Sequence, residues 1–371
     1  MMVRVSPRSA IAMALLAFAA LPSAAFSAGQ GDAAVPADLG ARLAAYAAPA
    51  TDRLASAARQ LADSLKKFCA AGDAAKPGKQ AAQDIAVRFR DTVLAWEGVA
   101  FLRFGPLVEA NRYERIAFWP DPRGVMQRQV QGVLAEPHAA TLTAQDIAQR
   151  SVAQQGLPAL EFVLYRDQGL LAAPSPAPAD CGYANAVAGA LSHTTGELAE
   201  EWSDKGEFAR DFARPAASNA HYRSQQEVAA EAVKAMSTGL QFARDVKLLP
   251  VLQEPYQASR ARRAAFWRSG LSTAAMAASL QGMQAFYQAA GWRFDSATKG
   301  IDQSLRHEFD QSVQVLQGLG DRSMAELLED EDGRRRLALL TLILKNAKGL
   351  VDQDLAPHLG TSLGFNALDG D

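Results

Sequence analysis

The chain has 371 residues, a formal net charge of -2 and 49% hydrophobic residues. That length accommodates one large or two medium domains with a sizeable core. The near-neutral balance, without a long run of like charge, argues against nucleic acid as a partner and leaves small ligands or soluble proteins as the expected company.

At the N-terminus, Arg4 and Arg8 precede a nearly uncharged stretch rich in Ala and Leu, from Ala10 to Phe26. Ala25 and Ser27 bracket Phe26 in a small-x-small pattern. This is the layout of a signal peptide, expected over residues 1–27 with cleavage after Ser27 or Ala28. A membrane anchor is the alternative, but Pro22 and the small residues after it favour cleavage, so no span is expected to remain. No cysteine follows the apolar stretch, and Arg8 lacks a twin, which points to general secretion into the periplasm. Export places Cys69 and Cys181 in an oxidising compartment, where a disulfide is expected and two buried thiols are the alternative. By chain entropy, closing a loop of about 100 residues stabilises by at most roughly 4.7 kcal/mol.

Downstream, apolar residues recur at helical spacing and strand character is scarce. The stripes are Leu54, Ala58, Leu61, Leu65 and Phe68, then Ile85, Phe89, Val93 and Trp96, then Val187, Leu191, Leu198 and Trp202. Two more follow: Leu305, Phe309 and Leu316, and Leu337, Leu340, Leu344, Ala347, Val351 and Leu355. Abundant alanine, the best helix former, supports long helices packed as bundles. Breaks fall at Gly72 to Gly78, at Phe104-Gly105-Pro106, at Trp119-Pro120-Asp121-Pro122, and over Ala172 to Cys181 with its three prolines. The polar segment from Lys205 to Ala220 is the preferred boundary. The expected architecture is all-α: two helical bundles over 35–210 and 221–371 with a cleft between them. No strict repeat is visible, so duplication is only suggested.

Several chemical motifs are missing, among them a phosphate-binding glycine loop, a nucleophile elbow and paired C-x-x-C. His307-Glu308-Phe309-Asp310-Gln311 lacks the second histidine of a zinc-protease helix. His193 and Glu197 share a helix face at a spacing that suits two metal ligands, but a solvated pair is the plainer reading. Between Asn111 and Asp121, Arg112 and Arg115 crowd with aromatic residues beside a loop, either as an anion-binding fork or as a buttress under a turn. In Gly156 to Tyr165, Pro158 suits a first helical turn, and Glu161 is expected near the positive helix end, which favours its ionised form. Arg260, Arg262 and Arg263 read as a solvated face, whereas Arg268-Ser269 precedes a small-residue helix and could reach a cleft.

Four blocks in order, Phe118 to Gly124, Ser151 to Tyr165, Phe266 to Ser272 and Leu363 to Asp371, resemble the imelysin family. Its signature is G-x-H-x-x-E. Gly156 and Glu161 match it, and Pro158 stands in the histidine's place, as in the periplasmic imelysin-like branch. The resemblance implies two helical bundles with a functional site at their interface, a periplasmic location, a link to iron acquisition, and a classification among M75 metallopeptidases. It carries over Glu161 as a site residue and possible metal ligand. Arg112, Asp121, Arg268 and Ser269 join it as ligand-binding candidates on chemistry and on position within or beside these blocks. The C-terminal Asn366 to Asp371 would be either a packed tail or a carboxylate-bearing cover for the cleft.

Three functions follow as expectations. The first is a non-enzymatic binding protein for a small iron-related ligand or an envelope partner, with no catalytic residue. There, Glu161 and Asp121 would suit iron or another divalent or trivalent cation, while Arg112 and Arg268 would suit an anionic chelate. The second is a metallopeptidase, which needs three convergent ligands and an open position. The third is a helical docking module, marked by an exposed apolar patch.

Overall fold

A computed structural model describes residues 33–70, 79–173, 175–253, 257 and 259–362. The signal-peptide and C-terminal-tail expectations lie outside the described residues. Among them the fold is all-α, without a strand.

The spine is α1 (Leu39–Ala70), whose residues Leu43, Leu54, Leu61 and Leu65 are fully buried. Their spacing keeps one face apolar along the whole helix. It packs against α2 (Lys79–Glu97) and, most extensively, α7 (Pro178–Trp202). Between these lie the short helices α3 (Arg112–Ile116), α4 (Val125–Leu134), α5 (Ala144–Ala148) and α6 (Gly156–Tyr165). Cys69, at the end of α1, is disulfide-bonded to Cys181 in the first turn of α7, with Cα atoms 5.6 Å apart. This bond fastens the most extensive helix pair among the described residues.

After α8 (Glu207–Ala213), an irregular stretch over 214–224 leads to α9 (Gln225–Gln241), α10 (Ser272–Ala290), α11 (Lys299–Gln317), α12 (Met324–Glu329) and α13 (Glu331–Leu350). The segment expected as a boundary, Lys205 to Ala220, is partly helical, since α8 occupies Glu207–Ala213 and the coil begins only at 214. One cluster of buried side chains nevertheless runs through both halves. The Tyr46 hydroxyl of α1 lies 3.0 Å from the Gly98 carbonyl and 2.9 Å from the Gly282 carbonyl of α10, which share its one proton. A Cβ on Gly282 would lie 2.3 Å from the Gly98 oxygen, so glycine is what lets α10 meet the end of α2.

α9 and α13 each continue into a wider π-helical segment, Phe242–Leu248 and Val351–Leu355. Each segment ends two residues before a proline, Pro250 and Pro357. A proline inside a helix offers no N–H and crowds the carbonyl four residues back. A looser preceding turn relieves that crowding without ending the helix.

Candidate functional site

A cavity of about 950 Å³ is lined by residues from both sides of the 214–224 coil. Its first wall comes from α6 and from the loop before α4. Gly156 opens α6 at φ 73°, and a Cβ there would lie 2.2 Å from the Ile116 carbonyl oxygen. This close approach presses the start of α6 onto the end of α3, and fixes where Glu161 emerges one turn further on. The glycine of the signature thus has a packing reason.

Glu161 is only 4% exposed. It is the sixth residue of α6, beyond the first turn, so the expected support from the helix end is absent. Burial instead pushes its carboxyl above the usual carboxylate range. Hydrogen bonds from Ser269, and the nearby charge of Arg268, only partly offset that. The sequence-based expectation of a first-turn, readily ionised carboxylate is corrected on this point.

Ser269 arrives from the opposite side. Its amide and its Oγ both donate to Glu161 Oε1, at 2.9 and 2.8 Å. The turn that delivers it is strained: Phe266 has φ 55°, a left-handed conformation costly for a bulky L-residue. The Ser269 hydroxyl lies 3.2 Å from the Phe266 carbonyl, and Leu271 N donates to that carbonyl at 3.0 Å. This geometry turns Trp267 and Arg268 onto the cavity wall and Ser269 onto Glu161. The Arg268 guanidinium stands 4.4 Å from the Trp267 ring centre and 5.3 Å from that of Phe162, and Nη2 donates to Gln127 at 3.2 Å. Burial lowers the Arg268 pKa.

Asp121 also lines the cavity, but its two oxygens accept from the amides of Val125 and Met126, at 2.9 and 2.7 Å. It caps the start of α4. Arg112 does not join the group. Its Nη1 donates to the Pro106 carbonyl at 2.8 Å, and its side chain pairs with Glu109 and Glu197, each at 3.6 Å. The expectation that it reaches the site is corrected: Arg112 buttresses a turn against α7. Glu197 is also 3.4 Å from the exposed His193, so that pair belongs to the same surface network.

Two lining residues escaped the sequence reading. Glu97, at the end of α2, and Lys247, in the first π-helical segment, form a buried ion pair. Each sits in an amphipathic stretch with nothing local to mark it, although Pro250 foreshadows the irregular turn that carries Lys247. Arg262, read as a solvated face, lies 5.4 Å from the Trp267 ring centre.

The donor set was weighed against a bound cation. Among the described residues, no group of three or more His, Cys, Asp or Glu is placed to hold a metal ion. Glu161 Oε1 already accepts two hydrogen bonds, and Asp121 is engaged as a cap. These residues do not suit a directly ligated iron ion.

The chain matches the family model described as imelysin, Peptidase M75, over residues 43–350. No curated protein matches. Among solved structures it is similar to an imelysin-like protein from Psychrobacter arcticum 273-4, with a TM-score of 0.70 at 19% identity, covering 90% of this chain and 99% of that one. It is also similar to a protein described as an iron-regulated protein A precursor from Parabacteroides distasonis ATCC 8503, with a TM-score of 0.64 at 13% identity over 85% and 95% of the two chains. At such identities the likeness is one of fold. No helix among the described residues is long and apolar enough to cross a membrane.

Proposed function

The chain belongs to the imelysin family, and from that premise we propose that it is a periplasmic, non-enzymatic binding protein of iron acquisition, holding an iron-related anionic ligand in a cleft between two helical bundles. A periplasmic location is consistent with the family. The iron link rests on the family and on the iron-regulated description of one similar structure.

One observation carries the reading. A buried carboxylate from the first half is gripped by a strained turn of the second, at the wall of a large cavity, beside an arginine. Cavities of several hundred Å³ with a few convergent polar groups are the usual form of small-molecule sites. In this reading iron arrives already chelated, as cargo. Glu161 acts as a positioning residue: by holding Ser269 it sets the turn that presents Arg268.

Titration of the mature protein with ferric citrate, followed by calorimetry, tests this. Saturable binding is expected. Glu161→Ala, which frees the turn, should weaken it by about tenfold or more, whereas Glu161→Gln, which keeps an oxygen for Ser269, should retain most of it. Absence of saturation, or equal affinity in all three proteins, would sink the reading. Purified protein that carries stoichiometric metal and cleaves an unstructured protein in a chelator-sensitive way would favour a metallopeptidase instead.

A further inference from the structure

Arg262 and Arg268 both lie against the indole of Trp267, at 5.4 and 4.4 Å from its centre. Among the described residues neither guanidinium has a carboxylate within ion-pair distance. Two other cavity cations are matched by carboxylates: Arg166 by Asp180 at 2.6 Å, and Lys247 by Glu97. The Arg262–Arg268 pair is a local excess of positive charge on an aromatic plate. Partial burial is the main cost to the Arg268 charge, the Glu161 carboxyl offsets part of it, and the Arg262 charge adds to it. An anion seated between them would relieve the partly buried Arg268 and pair with the exposed Arg262. The strained Phe266 turn holds the plate in place, and strain of this kind clusters at ligand clamps. The adjoining wall is more apolar than polar, with Phe162, Phe266, Pro158, Met126 and Trp119 contributing.

We infer that the Arg262–Trp267–Arg268 clamp is the anion subsite of the cavity, and that its ligand is an organic carboxylate with an apolar or aromatic body. The guanidinium forks pair with carboxylate and phosphate alike, so it is the body that discriminates: a compact inorganic anion has none to bury against the apolar wall. The body lies along the apolar wall and loses contact with water there. The inference rests on the proposed use of the cavity as a binding site.

The test is calorimetry on the mature protein with four probes: 2-naphthoate, its neutral amide 2-naphthamide, inorganic phosphate and ferric citrate. Naphthoate is expected to bind about tenfold or more tightly than the amide or phosphate. Arg262→Gln and Arg268→Gln should each weaken naphthoate by about tenfold and leave the amide unchanged, with melting temperatures near wild type. Phosphate or amide binding as tightly as naphthoate, or full naphthoate affinity in both variants, would overturn the inference. Saturation by ferric citrate without naphthoate binding would overturn it while leaving the proposed function standing. Naphthoate binding through the arginines without ferric citrate binding would support the subsite and remove the iron link. Failure of every probe would remove both.

Discussion

Glu97 and Glu161 both extend from the first half of the chain, both are buried, and both meet a donor from the second half at the wall of one cavity. They differ in what they meet. Glu97 faces the ammonium of Lys247, so its charge is matched inside the protein. Glu161 faces an amide and a hydroxyl, with the Arg268 guanidinium acting only through space. Burial then has different consequences. The first carboxylate is a member of a closed ion pair. The second is poised towards its neutral form, and the nearest cation remains available to something else. A matched pair ties the halves together; an arginine with no carboxylate at ion-pair distance among the described residues is what the proposed subsite is built on.

The comparison breaks most visibly at the ion pair. Lys247→Met strands a buried carboxylate, and Glu97→Leu strands a buried ammonium. Each is expected to cost about 3–5 kcal/mol in urea denaturation. The double variant, which removes both charges, should recover most of that loss, because desolvating the pair offsets much of its attraction. Single and double variants of equal stability would show the pair to be solvated, and the contrast with Glu161 would vanish.

Next in size is the disulfide, which fastens α1 to α7 within one half and touches neither carboxylate. Cys69→Ser with Cys181→Ser is expected to cost about 2–4 kcal/mol, read as a lower melting temperature. Binding of ferric citrate by the folded variant should be unchanged. A loss of affinity would mean that the cavity depends on strain carried through α7, and would blur the distinction between scaffold and site.

The helices were legible because burial follows spacing. Leu54, Leu61, Leu65, Ile85, Phe89 and Val93 are buried as their stripes require. In α13 and the π-helical segment that continues it, the buried positions Leu337, Leu340, Leu344, Ala347, Val351 and Leu355 keep steps of three or four throughout. The widening before Pro357 thus reads in the sequence as an ordinary stripe. Glu161 and Ser269 were legible from motif-like blocks, though not their contact, which joins positions 108 apart. Arg112 was misplaced because an arginine beside a loop has the same local pattern whether it faces a cavity or a turn. Only the position of Glu197 on α7 decides, and that is a tertiary fact. Glu97 and Lys247 were illegible for the same reason, since a charge at a helix end is normally solvated.

The smallest expected effect is also the sharpest test of the contrast. Glu161→Gln imitates the protonated carboxyl, so near the ordinary carboxyl pKa of 4.5 and below, the variant and wild type should be nearly equal in stability. Because the folded pKa is raised, the unfolded chain gives up this proton first as pH rises. Between the unfolded and folded values the native state therefore binds more protons than the unfolded state. Wild-type stability must then fall relative to Glu161→Gln from about pH 4.5 upward, until the folded group has itself ionised. A set of urea midpoints from pH 4 to pH 8 reads this directly, because titrations common to both proteins cancel in the difference. Curves that stay parallel would mean that Ser269 and Arg268 fully compensate the buried charge. Glu161 would then resemble Glu97, and Arg268 would be a committed partner with little attraction left for a ligand.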